Sequence, residues 1–180
     1  MIFLIKPDVY DDLHREEQYT KYNCIVDQGT EFKGTIIDVG CGTGLLYEFV
    51  LKLYGKIKGR YVCIDPEPEM LKIAQNKFDS PLIISIEARA EELPIRENSG
   101  DVIVSVSTWG VLEKSPGLLL ELKNAVKTQG LIVITGHPKT YNTSPVDLDT
   151  EFEFKGNCID DIYMFRKPAY PMHEKSIKSS

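Results

Sequence analysis

The feature that most constrains this chain is a run of alternating glycines in residues 38–44, which read Asp-Val-Gly-Cys-Gly-Thr-Gly. It follows an apolar stretch, residues 35–39, of the kind that forms a buried parallel strand. After it, Leu45, Leu46 and Phe49 recur at helical spacing. A glycine turn that leads from a strand into a helix is typical of ligand sites in doubly wound α/β folds, because the ligand can approach the backbone closely there.

The rest of the chain continues the alternation of strands and helices that a parallel sheet leaves in sequence. Further strands are predicted at residues 61–65, 82–86, 101–105 and 131–135, and an antiparallel pair at 151–154 and 162–165. We therefore predict one α/β domain over residues 1–180, with a helical segment in 1–34, the α/β core in 35–166 and a loose tail in 173–180. Within the first segment, residues 8–27 are expected to form a helix with Leu13, Tyr19 and Tyr22 on its inner side.

Charge and the N-terminal residues exclude some partners. The net charge is −6, and a surplus of carboxylates disfavours binding to a phosphate backbone, so nucleic acid is not the expected partner. The apolar residues 1–5 are followed by Lys6 and Pro7, which leaves a stretch too short for a signal peptide or a membrane span. We expect a cytoplasmic protein that does not associate with membranes.

The cysteines predict neither a metal site nor a disulfide framework. Cys24, Cys41, Cys63 and Cys158 show no C-x-x-C spacing, and with three histidines in the chain no zinc motif can be built. We therefore expect no metal, and we expect the cysteines to be free and buried. Cys41 itself is interpreted as a small filling residue rather than a nucleophile.

Asp38 indicates which kind of ligand the glycine loop holds. A carboxylate at the end of a strand repels a pyrophosphate but attracts an ammonium or sulfonium group. A dinucleotide fingerprint would also need a glycine where Leu45 stands. The neighbouring helix N-terminus still favours a small carboxylate, so the loop suits a zwitterionic amino-acid group better than a nicotinamide dinucleotide.

The D-x-G-x-G-x-G loop resembles motif I of the class I S-adenosylmethionine-dependent methyltransferases. Asp65 at the end of the second predicted strand, the residues Ala-Glu-x-Leu-Pro at 90–94 and Gly-Leu-Ile-Val-Ile at 130–134 resemble further motifs of that family. The resemblance implies a Rossmann-like, mostly parallel seven-stranded sheet in the order 3-2-1-4-5-7-6, with helices on both faces and S-adenosyl-L-methionine as cofactor. The residues it implies for the cofactor are Asp38, Gly40, Cys41, Gly42, Gly44, Asp65, Pro66, Ala90, Glu91 and Ser105.

The chain also departs from the family's patterns. Arg89 stands where many members have an aspartate that accepts a hydrogen bond from the adenine amino group, and arginine can only donate. The predicted fourth strand ends without the N-P-P-Y sequence of enzymes that methylate amino nitrogens of bases or amides. Between Thr135 and Glu151 the chain is short and holds two prolines, so the helix expected there is missing or reduced to a turn.

These observations predict methyl transfer from S-adenosylmethionine to a small-molecule acceptor. The acceptor mouth is expected outside the ends of the fourth and fifth strands, formed by residues 107–109, residues 137–141 and the segment before Thr35. Trp109, His137 and Tyr141 are the side chains expected around it. His137 is either a general base or an exposed loop residue, and Trp109 either a packed residue or a substrate platform. The alternative function is a non-catalytic cofactor-binding module or a partner subunit of a methyltransferase complex. A partner protein therefore remains possible, and the oligomeric state stays open.

Overall fold

The computed structural model describes residues 7–78, 81–89, 92–115 and 117–169. In chain order its elements are α1 (Pro7–Asp27), β1 (Ile36–Val39), α2 (Leu45–Tyr54), β2 (Tyr61–Asp65), α3 (Pro68–Lys77), β3 (Ile83–Glu87), β4 (Gly100–Ser105), α4 (Trp109–Leu112), α5 (Leu118–Ala125), β5 (Val126–Gly136), α6 (Pro145–Leu148), β6 (Glu153–Asn157) and β7 (Asp161–Arg166). The predicted tail, residues 173–180, lies outside the described residues.

The strands form a single seven-stranded sheet in the order β3-β2-β1-β4-β5-β7-β6. β1 lies between β2 and β4 and is parallel to both. β7 pairs antiparallel with β5 and with β6, so one hairpin closes an otherwise parallel sheet. The predicted fold and strand order are confirmed.

Apolar side chains fill both faces of the sheet. On one face the core contains Tyr22 and Ile25 of α1, Phe49 of α2 and Leu71 of α3. On the other face, helices α4 and α5 pack with residues such as Leu122 against β4 and β5. Because helices cover both faces, a ligand can reach the sheet at the carboxyl ends of its parallel strands. Ligands bind at this end in such folds.

Two local predictions meet different outcomes. The helix expected between the fifth and sixth strands is reduced to the single turn α6, as predicted, and Ser144 and Asp147 cap it reciprocally. Leu13 was expected on the inner side of α1, but 65% of it is exposed. The error arises because α1 carries no continuous apolar stripe: its buried residues include the polar Gln18 and Lys21.

The cysteines are paired, which corrects the expectation of free thiols. Cys24 of α1 is bonded to Cys158 after β6, and Cys41 of the glycine loop is bonded to Cys63 of β2. The Cα atoms of the pairs are 6.4 Å and 5.4 Å apart, which a disulfide can span. The sequence hides both pairs because each joins elements that only the tertiary fold brings together. Within the described residues, no helix is long and apolar enough to cross a membrane.

The two disulfides should contribute unequally to stability. Cys24 and Cys158 are separated by 134 residues and Cys41 and Cys63 by 22, and a longer closed loop constrains the unfolded chain more. Replacing the first pair with alanine should lower the free energy of unfolding by about 5 kcal/mol, and replacing the second by about 3 kcal/mol. Urea unfolding without reductant measures both values. With a thiol reductant present the disulfide contribution should vanish from the wild type, and a difference that persists unchanged would contradict the pairing.

Candidate cofactor site

The glycine loop is built on backbone conformations that favour glycine. Gly40, Gly42 and Gly44 have φ values of 78°, 54° and 79°, in the left-handed region. The N–H groups of Gly40 and Cys41 both donate to the carbonyl of Ile64 in β2, at 2.7 Å and 3.1 Å. The chain therefore turns tightly at the end of β1 and enters α2 with Gly44 as its N-cap residue.

Asp65 faces this loop from the end of β2. Its carboxylate accepts hydrogen bonds from the backbone N–H of Gly42, at 2.8 Å, and from that of Glu67, at 2.9 Å. Burial raises the pKa of Asp65, while the two backbone donors lower it. Asp65 thus holds a fixed carboxylate at the rim of the loop, with lone pairs left for further donors.

Asp38 is buried beneath the loop and carries a partner that the sequence did not indicate. The hydroxyl of Tyr61, at the start of β2, donates to its Oδ2 at 2.5 Å. Burial raises the pKa of Asp38 to about 7, and the hydrogen bond from Tyr61 opposes that shift. Asp38 therefore changes charge near neutral pH.

A cavity of about 290 Å³ opens beside the loop at the carboxyl ends of β1, β2 and β4. Its walls combine apolar side chains with a few polar groups, as ligand sites do. The lining residues used below are Gly40, Asp65, Pro66, Arg89, Ser107 and Thr108. Ser105, also expected at the cofactor, is buried behind this wall, where its hydroxyl donates to the carbonyl of Val39 at 2.7 Å.

Helix α1 covers the other side of the loop. Tyr10, Gln18 and Tyr22 line a small cavity of about 30 Å³ together with Asp38 and Gly42. That volume holds about one water molecule. The N-terminal half of α1 is tied down by Asp11, which accepts from the hydroxyl of Thr43 and pairs with Lys77 of α3.

Trp109, expected at the acceptor mouth, packs beside Gly136 and Tyr141. Trp109 is 1% exposed in the core, and its indole N–H donates to the carbonyl of Thr143 at 2.7 Å. Of the two interpretations of Trp109, its burial favours a packed residue beneath the segment after β5, and its place at the mouth stays a prediction.

His137 and Tyr141 follow β5 but lie outside the set of residues that line the larger cavity. His137 Nδ1 accepts from the backbone N–H of Lys139 at 3.2 Å. The hydroxyl of Tyr141 bonds to Asp161 and lies 2.7 Å from that of Tyr163. Burial and these partners raise the pKa of Tyr141, so it is a neutral hydrogen-bonding group.

Ala90 and Glu91, also expected at the cofactor, lie outside the described residues. The remaining predicted residues are placed around one loop: Asp38 below it, Asp65 and Pro66 across it, and Arg89 exposed beside them. Ser107, expected at the acceptor mouth, lines the same cavity as Asp65, whereas Tyr61 was missed and Gln18 was not singled out within α1. The only available signal was that Tyr61 opens the strand that ends at Asp65.

Comparisons with known sequences agree with this geometry. A family described as a methyltransferase domain matches residues 37–134, which is more than half of the chain. An uncharacterized protein of Methanocaldococcus jannaschii is 32% identical over 102 residues, covering 56% of this chain and 36% of that protein. Protein arginine N-methyltransferase 1 of Dictyostelium discoideum is 26% identical over 167 residues, covering 87% and 47%. The chain thus spans between about a third and a half of these relatives.

Solved structures share the fold. A protein of Methanococcus maripaludis described as an S-adenosylmethionine-dependent methyltransferase superimposes with a TM-score of 0.74 at 16% identity, covering 92% of each chain. A Haloferax volcanii methyltransferase, solved in complex with the activator Trm112, gives a TM-score of 0.72 at 14% identity, covering 92% of this chain and 96% of the other. At these identities the similarity establishes the fold alone.

The raised pKa of Asp38 predicts a pH dependence of stability. The folded protein keeps a proton on Asp38 up to about pH 7, whereas an unfolded aspartate loses it near pH 4. The contribution of Asp38 to the free energy of unfolding therefore falls as pH rises through this window. Asp38→Asn is neutral in both states, so its stability relative to wild type should rise by up to about 1.4 kcal/mol per pH unit between about pH 5 and 7.

Urea unfolding at several pH values measures this difference. Asp12→Asn, at an exposed position of α1, is the matched control and should follow the wild type. A stability difference between Asp38→Asn and wild type that does not change with pH would contradict the prediction.

Proposed function

The chain belongs to the class I S-adenosylmethionine-dependent methyltransferases, and from that membership we propose that it transfers the methyl group of S-adenosylmethionine to a small-molecule acceptor. The observation that carries the proposal is the joining of the glycine loop to Asp65 across one cavity, through the hydrogen bond from Gly42 N–H to Asp65. A nucleoside and an amino-acid group can be recognised together at such a place, because carboxylate, loop backbone and helix N-terminus converge there.

The residues present fit this cofactor. A Cβ on Gly42 would meet no atom within 4 Å, so the loop leaves open space on that side. Asp65 has acceptor capacity for ribose hydroxyls, and Asp38 has the charge to attract an ammonium group when ionised. Arg89 lines the same cavity at the position where many members of the family carry a hydrogen-bond acceptor for adenine. Its guanidinium offers donors there, on an exposed aliphatic side chain.

When bound, S-adenosylmethionine supplies a methyl group activated by the positive charge of its sulfur. The chain itself has to orient the cofactor and the acceptor and to enclose them. Asp65, Gly40 and the N-terminus of α2 would hold the nucleoside and amino-acid ends, while Tyr10 and Gln18 of α1 would keep water away from the loop. Orientation and exclusion of water are large contributions to such a transfer, and a general base is optional.

We propose a small neutral or cationic acceptor. On the two loops expected at the mouth, residues 107–109 and 137–141, Lys139 is the one lysine or arginine, which is too little charge to attract a polynucleotide. Glu113 and Asp161 add carboxylates to the same end of the sheet, where they bind backbone N–H groups and Tyr141. His137 stays a prediction for a general base, since it lies beyond the walls of the larger cavity.

The second candidate is a cofactor-binding subunit that needs a partner protein to complete its acceptor site. The Haloferax volcanii methyltransferase in complex with Trm112 favours it, as does the single-turn α6, which leaves little cover beyond β5. Transfer of labelled methyl to any compound of a broad acceptor panel by the isolated chain supports the enzyme. Tight cofactor binding without any transfer supports the subunit.

Ligand-induced stabilisation tests the cofactor assignment. S-adenosylhomocysteine at 100 times its Kd should raise the free energy of unfolding by about 2.7 kcal/mol, and NAD should have no effect. Asp65→Ala removes hydrogen bonds from a charged acceptor to the ribose and should weaken binding by about 1.5 to 3 kcal/mol. Isothermal titration calorimetry measures the affinities.

Glu67→Ala is the matched control for Asp65→Ala, because Glu67 is exposed, follows Asp65 by two residues and keeps in the alanine variant the backbone N–H that donates to Asp65. Its affinity should equal that of the wild type. Equal stabilisation by NAD would contradict the proposed function, and an unchanged affinity of Asp65→Ala would place the ribose elsewhere.

Gly42→Val should abolish cofactor binding and leave the sheet folded. A Cβ on Gly42 would enter open space beside the loop, and we expect a valine there, in a strained left-handed conformation, to take up space that the ligand needs. Gly29→Val is the matched control, because Gly29 also has positive φ and no neighbours within 4 Å but lies between α1 and β1, away from the loop. Both variants should lose similar stability by circular dichroism melts, and wild-type affinity in folded Gly42→Val would refute the expectation.

A further inference from the structure

A buried polar cluster joins three distant parts of the chain beside the cofactor cavity. Lys21 of α1 is 5% exposed, and its Nζ lies 3.1 Å from Oδ1 of Asp160, which is 1% exposed. Glu17, one turn earlier on α1, lies 2.6 Å from the same Nζ. A charged pair this deeply buried is costly to desolvate, so its burial calls for a role other than keeping the surface of the protein soluble.

The hydroxyl of Ser107 lies at the centre of the cluster. It accepts from Lys21 Nζ at 2.9 Å and donates to Asp160 Oδ2 at 2.8 Å. Thr135 at the end of β5 completes the arrangement: its hydroxyl donates to the same Oδ2 at 2.9 Å and accepts from the backbone N–H of Ser107 at 2.8 Å. Both the side chain and the backbone of Ser107 are therefore fixed.

Ser107 needs this support because its backbone is strained. Its φ is 60°, a left-handed conformation that serine adopts at a cost. The conformation places Ser107 and Thr108 in the wall of the larger cavity. Thr108 packs so closely on the glycine loop that a Cβ on Gly40 would lie 2.6 Å from its methyl group. A shift of Ser107 would therefore reach the loop directly.

Gln18 extends the cluster to the smaller cavity. Its amide donates to the Ser107 hydroxyl at 3.4 Å, and the same side chain lines the space between α1 and the glycine loop. The disulfide between Cys24 and Cys158 holds α1 and the segment before β7 together within three residues of Lys21 and two of Asp160. The cluster is thus clamped from outside and contacts both cavities.

We infer that Lys21 and Asp160 are positioning residues for the cofactor cavity, which act through Ser107 to hold the loop after β4 against the glycine loop. The inference rests on the proposed function, since it concerns the same site. Neither side chain lines the larger cavity, so a loss of either acts on the cofactor through the wall and not through contact.

A double-mutant cycle with the ion pair as one unit tests this. Lys21→Met and Asp160→Asn are made together, because removing one partner alone would leave a buried unpaired charge. Ser107→Gly removes the hydroxyl and permits positive φ without strain. The pair variant should lower the affinity for S-adenosylhomocysteine by about tenfold, and in the Ser107→Gly background the same change should lower it less than about twofold further.

The matched control is Lys123→Met with Asp149→Asn, an ion pair of 2.8 Å between α5 and the residue after α6, remote from the cavity. It should leave the affinity unchanged. Thermal midpoints recorded for every variant separate folding from positioning, because a purely structural role lowers the midpoint without altering the affinity of the folded protein. If the pair variant does not fold, Thr135→Val, which removes only the bridging hydroxyl, should lower the affinity in the same direction.

The outcomes are distinguishable. A wild type that does not bind S-adenosylhomocysteine overturns both the proposed function and this inference. A wild type that binds, with the pair variant at wild-type affinity or with equal losses in the Ser107 and Ser107→Gly backgrounds, overturns this inference alone.

Discussion

The site depends on the turn at the end of β1, where the chain must leave the sheet and start α2 within a few residues. Gly40, Gly42 and Gly44 make this possible because left-handed backbone costs them little. The N–H groups of Gly40 and Gly42 then donate to Ile64 and Asp65 of the neighbouring strand, and that of Gly44 donates to the carbonyl of Cys41 within the loop. Sheet order and loop conformation are thus coupled, because a parallel β2 beside β1 brings those acceptors to the end of β1 where the loop begins.

The same turn buries the carboxylate of Asp38 beneath the glycine loop, where its ionisation depends on its neighbours. The side chain at this position is buried, which opposes its charge and raises its pKa, while the hydrogen bond from Tyr61 lowers its pKa. A cationic group beside the loop would favour the ionised form by Coulombic attraction. The loop therefore combines a backbone that a ligand can approach with a carboxylate, Asp38, whose ionised form a cationic ligand would stabilise.

Local patterns predicted the sheet and the glycine loop because each is encoded in neighbouring residues: apolar runs for the strands, alternating glycines for the turn. They could not predict the bond between Tyr61 and Asp38, which depends on register between two strands. Lys21 and Asp160 carry no pattern at all, since a single buried charge resembles a surface residue until its partner is known. The disulfides were missed for the same reason, because the paired cysteines are distant in sequence.

The joining of α1 to the segment before β7 has a consequence for the order of folding. α1 is synthesised before its covalent and ionic partners, Cys158 and Asp160. The cysteines of the disulfide are 134 residues apart in sequence. Contacts of such long sequence separation form slowly, because the intervening chain must first be ordered. The central strands can pair before these links form, so we expect the attachment of α1 to the segment before β7 to follow the assembly of the sheet.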